Sequence, residues 1–123
     1  MVNDRSRRRD SGKDLGRDAE DAAAAYVASL GMRVLARNVR GRGGEIDIVA
    51  ADGAIVVFIE VKARSGRTFG SAIAAVDARK RRRLRATAED YLQFVAPRAR
   101  ARFDVLTIEP DRVTLHRNAF TWP

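Results

Sequence analysis

Four residues in the stretch GGEIDIVAADGAIVVFIEVKARSG, residues 43–66, have types and spacing suited to chemistry: Glu45, Asp47, Glu60 and Lys62. Carboxylates at close quarters hold a hard divalent cation, and a neighbouring ammonium suits a phosphate or an attacking water. Asp52-Gly53 reads as a two-residue turn joining EIDIVA to AIVVFIEVKA in a hairpin. With that turn Ala51 pairs with Ala54, Glu45 falls opposite Glu60, and Asp47 lies diagonally beside Glu60. Side chains alternate along a strand, so Glu45, Asp47, Glu60 and Lys62 share one face. Ile46 and Ile48 take the other face, together with Ile55, Val57, Ile59 and Val61.

Like charges across a ladder repel, and half-buried carboxylates favour their protonated form. Lys62 offsets only one of the three acids. A divalent cation resolves the conflict, because it takes several oxygen ligands and lowers their pKa. The competing reading pairs the acids with the chain's many arginines on an exposed sheet edge. AIVVFIEV is apolar on both faces, as in an interior strand, and this weighs for a metal site. Glu-x-Lys alone is weak; Asp, a hairpin turn and Glu-x-Lys in matching register are far more specific. The chemistry implied is hydrolysis of a phosphodiester, with Lys62 orienting the nucleophile or stabilising transition-state charge.

Composition narrows the choice of ion and partner. The chain has no cysteine, which excludes a disulfide framework and a thiolate zinc site. The single His116 argues against histidine catalysis and a multi-histidine metal site, and reads as a strand-face residue. An oxygen-only ligand set points to Mg²⁺ or Mn²⁺. Lys and Arg number 24 against 16 Asp and Glu, a formal charge of +8 over 123 residues. Such a surplus favours a polyanionic partner, nucleic acid first. A GC-rich genome, whose codons favour Ala and Arg, explains part of the charge but not its placement. The basic N-terminus leads into no apolar segment and no run approaches bilayer-spanning length. A cytoplasmic protein with no membrane partner is the expectation.

The elements that must position these residues follow from periodicity. Residues 1–13, with Arg5, Arg7, Arg8, Arg9 and Lys13, read as a mobile basic arm, and residues 14–123 as one domain. Leu15, Ala19, Ala22, Ala23, Tyr26, Val27 and Leu30 recur at helical spacing and predict a helix from Asp14 to Leu30. Ser11 with Asp14 forms a plausible capping box, and Gly31 stands where a left-handed residue ends a helix. Glu20 lies at the edge of the apolar stripe, either as a surface residue or looking along the core towards a site. MRVLARNV (32–39) is a strand, followed by a glycine-rich loop at 40–44. After a loop at 64–71 a second helix spans about 77–95, its apolar face being Leu84, Ala88, Tyr91, Leu92 and Val95. Strands at 102–109 and 112–117 close the chain, with Phe120 and Trp122 as packing anchors. The strand carrying Glu60, the second helix and the 102–109 strand form a crossover unit, so those two strands run parallel. The fold class is therefore α/β, a single domain with a mixed sheet flanked by helices.

The second helix opens with Arg79, Lys80, Arg81, Arg82, Arg83 and Arg85. Stepping back one turn from Leu84 and Ala88 directs Lys80 and Arg81 towards the sheet and fans the others outward. A solvated charged face is the bland reading of such a run. Its place one loop from Glu60 and Lys62 favours a bed for a phosphate backbone. Arg40, Arg42, Arg64 and Arg67 flank the acids on glycine-containing loops and join Arg79, Lys80, Arg82 and Arg83 as expected nucleic-acid contacts. No alternating aromatic-basic pattern suits base stacking, so shape and charge rather than base edges are expected to be read.

These residues carry a resemblance. GGEIDIVAADGAIVVFIEVKARS, with the later FG, AV..RK, RFDV and NAF, resembles the bacterial YraN family of inferred endonucleases over roughly residues 14–120. That family is similar to the PD-(D/E)XK superfamily, whose αβββαβ, restriction-endonuclease-like core agrees with the order above, and most of all to archaeal Holliday junction resolvases. The resemblance implies that Asp47, Glu60 and Lys62 fill the metal and catalytic positions. It also implies that Glu20 is the first-helix acid near the metal. The superfamily's Pro-Asp is replaced here by Ile46-Asp47. The reading is a Mg²⁺- or Mn²⁺-dependent endonuclease-like protein acting on DNA, branched or otherwise structured DNA included. Asp47 and Glu60 are its ligands, and Glu45 or Glu20 completes the shell. The alternatives are a non-cleaving nucleic-acid-binding accessory protein and an assembly factor whose basic helix meets an acidic protein. Junction-cutting relatives work as dimers, which leaves a homodimer open.

Overall fold

The computed structural model of the chain describes residues 11–63 and 78–120, with side chains from Gly16 in the first helix and Arg79 in the second. Residues 1–10 of the predicted arm, the loop carrying Arg64 and Arg67, Asp77 and Trp122 lie outside the described residues, and residues 11–13 belong to the first helix. The elements are α1 (Ser11–Ser29), β1 (Arg33–Gly41), β2 (Gly44–Asp52), β3 (Ile55–Ala63), α2 (Ala78–Val95), β4 (Arg100–Glu109) and β5 (Arg112–Phe120). One five-stranded sheet has the order β1-β2-β3-β4-β5. The β3–β4 pair is parallel and the other pairs are antiparallel. This is the mixed sheet and αβββαβ core of restriction-endonuclease-like proteins, with β5 added at the edge.

Each helix covers one face. Ala23 and Val27 of α1 pack with Met32, Ile48, Ala50, Val57, Ile59 and Leu106. Leu84 and Ala88 of α2 pack with Ile46, Val49, Val56, Phe58, Phe103, Val105 and Phe120. β3 is the central strand, apolar on both faces because a helix lies on each. Phe120 stacks on Phe103 at 4.7 Å between ring centroids, so it anchors the last strand.

The boundaries depart from expectation where local chemistry differs. α1 already includes Ser11, which places that serine inside the helix rather than ahead of it. Its end is as predicted: Gly31 has φ of 91°, Met32 N–H donates to Val27 O, and Gly31 N–H donates to Ala28 O. That pair of bonds is a Schellman closure. Ala22 and Leu30 are exposed, so the apolar stripe of α1 is narrower than its periodicity suggests. Val95 is also exposed, while Thr87 is buried on the inner face of α2. The glycine-rich loop tightens to a two-residue turn, Arg42-Gly43, between paired Gly41 and Gly44.

The β2–β3 turn is centred on Gly53-Ala54, not Asp52-Gly53. Asp52 pairs with Ile55, and Gly53 alone takes a positive φ, 61°, as the first residue of a type II′ turn does. Asp52 is held in the strand by Arg102, whose Nη1 lies 2.9 Å from its Oδ2. The pairing therefore shifts by two residues. A two-residue shift preserves which side chains face together, whereas a one-residue slip would have exchanged the faces.

Candidate active site

Extending the observed register by one residue beyond Ile48↔Ile59 sets Asp47, rather than Glu45, against Glu60. Backbone pairing between β2 and β3 ends there, and the Asp47 carboxylate takes its place. Asp47 Oδ2 accepts a hydrogen bond from Val61 N–H at 2.8 Å. The strands fork, and the fork holds the acids.

A second distortion sits on the other side of Asp47. Asn38 of β1 lies between the pairs Arg37↔Ile48 and Val39↔Ile46, and has φ of 54°. Asn is among the few residues that tolerate this left-handed conformation. Alternation loses step there. Ile48 packs on the α1 side, as expected, but Ile46 and Val39 pack on the α2 side, against the prediction that Ile46 and Ile48 share a face. Asn38 Nδ2 donates to Glu20 Oε1 at 3.0 Å, which ties the first-helix acid to the strand residue beside Asp47.

Glu60 is 7% exposed and its charge is met from two elements. Lys80 Nζ of α2 lies 2.8 Å from Glu60 Oε2, and Lys62 Nζ lies 3.6 Å from the same oxygen. Glu60 Oε1 is buried, and among the described residues no group donates a hydrogen bond to it. Burial, then the charge of Glu60, pushes the Asp47 carboxyl up to about 7, while the Val61 N–H pulls it down. Lys62 is lowered, first by burial and then by Lys80. Burial is the largest single influence on the Lys80 ammonium and lowers it, but hydrogen bonds to Glu60 and Lys62 and the charges of Glu60 and Asp47 together outweigh it, and Lys80 is raised. The two lysines thus divide the work: Lys80 holds charge against Glu60, and Lys62 is the more easily deprotonated amine.

The remaining predicted residues are dispersed. Glu45 is half-exposed, 3.8 Å from Arg40, and lines a groove with Arg79, Lys80 and Arg83. Among the described residues no group of three or more acidic or histidine side chains is placed to hold a metal ion. Glu45 accordingly stands apart from the Asp47–Glu60 pair, and Glu20 reaches Asp47 through its field and through Asn38. Arg42 is engaged by Asp90, its Nε 2.9 and 3.0 Å from the two carboxylate oxygens. Arg79, Arg82 and Arg83 are exposed. Lys80 faces the sheet as predicted, and the Arg81 guanidinium lies over the Phe120 ring at 5.4 Å. His116 bonds to Thr107 across β4 and β5, away from the acids.

Two contributors escape sequence reasoning. Lys80 reads there as a phosphate contact, yet it is also the nearest cation to Glu60. Thr87 does not stand out in the sequence at all. Its Oγ1 accepts from Gly43 N–H at 3.0 Å and donates to Gly44 O at 2.9 Å, pinning the β1–β2 turn onto α2. Gly43 is required there, because a Cβ would overlap the Arg83 carbonyl. The signal that could have found it is a threonine on the Leu84–Ala88 face of a helix, with glycines on a nearby turn.

The donor set suits a divalent cation in part. Two carboxylates converge, one with a buried oxygen that has no donor among the described residues and one destabilised as an anion, and a cation between them would relieve both. Comparison with known proteins gives the family context. The sequence model of the "Uncharacterised protein family UPF0102" matches residues 19–108. A UPF0102 protein of Pseudomonas aeruginosa (strain LESB58) is 42% identical over 120 residues, covering 91% of this chain and 96% of that protein. One from Symbiobacterium thermophilum is 45% identical over 112 residues, covering 86% and 95%. One from Cupriavidus taiwanensis is 45% identical over 107 residues, covering 85% and 81%.

Proposed function

The chain belongs to the uncharacterised protein family UPF0102, the YraN family, and from that premise we propose that it is a metal-dependent endonuclease-like protein acting on DNA. The observation that carries the reading is the β2–β3 fork. It brings Asp47 to Glu60 at the end of a central strand, and two lysines converge on the same glutamate. A fork built only for stability has no use for a buried carboxylate oxygen to which no described residue donates.

Asp47 and Glu60 would hold Mg²⁺ or Mn²⁺, with Glu20 assisting at longer range. When bound, such an ion lowers the pKa of a coordinated water and polarises a phosphoryl oxygen. The chain's own residues supply the rest. Lys62, with its lowered pKa, orients the attacking water and takes or shares its proton. Lys80 and the outward arginines of α2 hold the phosphate backbone. No helix among the described residues is long and apolar enough to cross a membrane.

The test is a cleavage assay on duplex, flap, single-stranded and four-way-junction DNA with Mg²⁺ or Mn²⁺. Cleavage abolished by Glu60→Ala and by Lys62→Ala is the expected result. Salt-sensitive DNA binding with no metal-dependent cleavage would instead select a non-cleaving accessory protein. The absence of a third converging acid among the described residues favours that second reading.

A further inference from the structure

A groove of about 430 Å³ lies between the β1–β2 turn and the first two turns of α2. Gly43, Gly44, Glu45, Arg79, Lys80, Arg83 and Leu84 line it. Its walls carry three cations against one carboxylate, and that carboxylate has Arg40 as a neighbour at 3.8 Å. Gly43 packs directly on the Arg83 carbonyl, whereas Gly44 leaves its part of the groove wall free of a side chain, so a bulky anion can approach closely there. The Arg83 guanidinium reaches over it, with Nη2 3.9 Å from where a Gly44 Cβ would stand.

Lys80 belongs to this groove and to the acidic pair at once. Its Nζ is 2.8 Å from Glu60 Oε2, on the same carboxylate that a divalent cation would use. Two cations on one carboxylate repel each other. A phosphodiester in the groove offers Lys80 another anionic partner, of the strong charge-assisted kind.

We propose that the groove seats one phosphodiester of the bound strand, and that Lys80 is an internal cation which leaves Glu60 for that phosphate. The inference rests on the reading that Asp47 and Glu60 take a divalent cation. Lys80 competes with the cation in the free protein, and the competition ends when the strand is seated. Strand and cation therefore assist one another, and linkage requires each to tighten the other by the same factor. The device keeps the protein poorly loaded with metal until a nucleic acid is present.

The experiment measures Mn²⁺ affinity by calorimetry in the nucleic-acid-free protein for wild type, Lys80→Met, Arg83→Met and Asp47→Asn. Circular dichroism checks each fold. Lys80→Met is expected to bind Mn²⁺ at least about fivefold more tightly than wild type, the lower end of ordinary coupling. Arg83→Met, which removes a groove charge without touching Glu60, should change it much less. In a second arm, anisotropy of a labelled DNA duplex, an RNA duplex or a duplex with neutral methylphosphonate linkages is followed with and without Ca²⁺ at constant ionic strength. Ca²⁺ should tighten the charged strands on wild type, do so less on Lys80→Met, and have no effect with the neutral linkages. Mn²⁺ affinity unchanged or weakened in Lys80→Met, with wild type binding the ion, overturns this inference alone. No Mn²⁺ binding to any variant, with or without duplex, overturns the metal reading and this inference with it.

Discussion

At the scale of single residues, Asp47 and Glu60 are two carboxylates made unlike by their partners. Glu60 faces two ammonium groups, whereas Asp47 faces Glu60 and, further off, Glu20. Folding raises the Asp47 pKa from 3.8 to about 7, so the folded state binds its proton more tightly than the unfolded state. That contribution is fully present below about pH 4 and is lost as pH rises through about 7. Asp47→Asn stays neutral and keeps an oxygen for Val61 N–H. In a chelator, the variant should therefore gain stability over wild type between pH 4 and 8, by on the order of 1–4 kcal/mol. Urea unfolding across that range is the measurement, and a difference that does not vary with pH would show an ordinary carboxylate at position 47. Added Mg²⁺ or Mn²⁺ should stabilise wild type at pH 8 and leave Asp47→Asn nearly unaffected.

At the scale of elements, the site depends on how α2 is fastened to the sheet. Thr87 and the Arg42-Gly43 turn are that fastening, and Arg42 to Asp90 adds a solvent-screened pair. Thr87→Val keeps the shape but leaves Gly43 N–H and Gly44 C=O without their partner, at a cost of about 1–3 kcal/mol. Gly43→Ala drives a methyl group into the Arg83 carbonyl and should cost about as much or more. Because both changes displace the start of α2, they should loosen Lys80 from Glu60. Chemical denaturation reports the first effect. Unchanged stability in Gly43→Ala would mean that the turn and helix are not packed as described. The other end of the sheet has its own fastening. Arg102 spans Asp104 and Asp52, and Asp104 Oδ1 also accepts Asn118 N–H where β5 shifts register. Removing Asp104 would leave Arg102 short of its closest buried partner, so that network holds the β2–β3 turn that sets the register at Asp47.

At the scale of the whole molecule, charge is unevenly matched. Arg42, Arg102 and Arg112 are met by Asp90, Asp104 and Glu109, whereas Arg79, Arg82 and Arg83 stand exposed on one side of α2. Nucleic-acid binding should therefore weaken steeply with salt. Replacing Arg79, Arg82 and Arg83 with Ala should flatten the log–log salt slope by about 1 for each phosphate no longer neutralised. Arg42→Ala should change the slope less, since Asp90 already holds that guanidinium. Anisotropy titrations at several salt concentrations test both, and an unchanged slope in the triple variant would remove this surface as the binding face.

Local sequence rules specify the α/β class, the parallel β3–β4 pair, the interior place of β3 and the nearness of Asp47 to Glu60 across the hairpin. Those follow from local rules: period-two alternation, a crossover helix, and apolar runs long enough for burial on both faces. Even a turn misplaced by one residue left Asp47 and Glu60 facing together, because the register moved by two. Tertiary structure alone decided which acids meet. Arg102, distant in sequence, drew Asp52 into the strand and recentred the turn on Gly53-Ala54. Asn38 broke alternation beside Asp47, and carried Ile46 to the unexpected face. Lys80 reached Glu60 only because Thr87 and Gly43 bring α2 close to the turn. Each of these is a contact between segments far apart in the chain, and no periodicity within a segment encodes it.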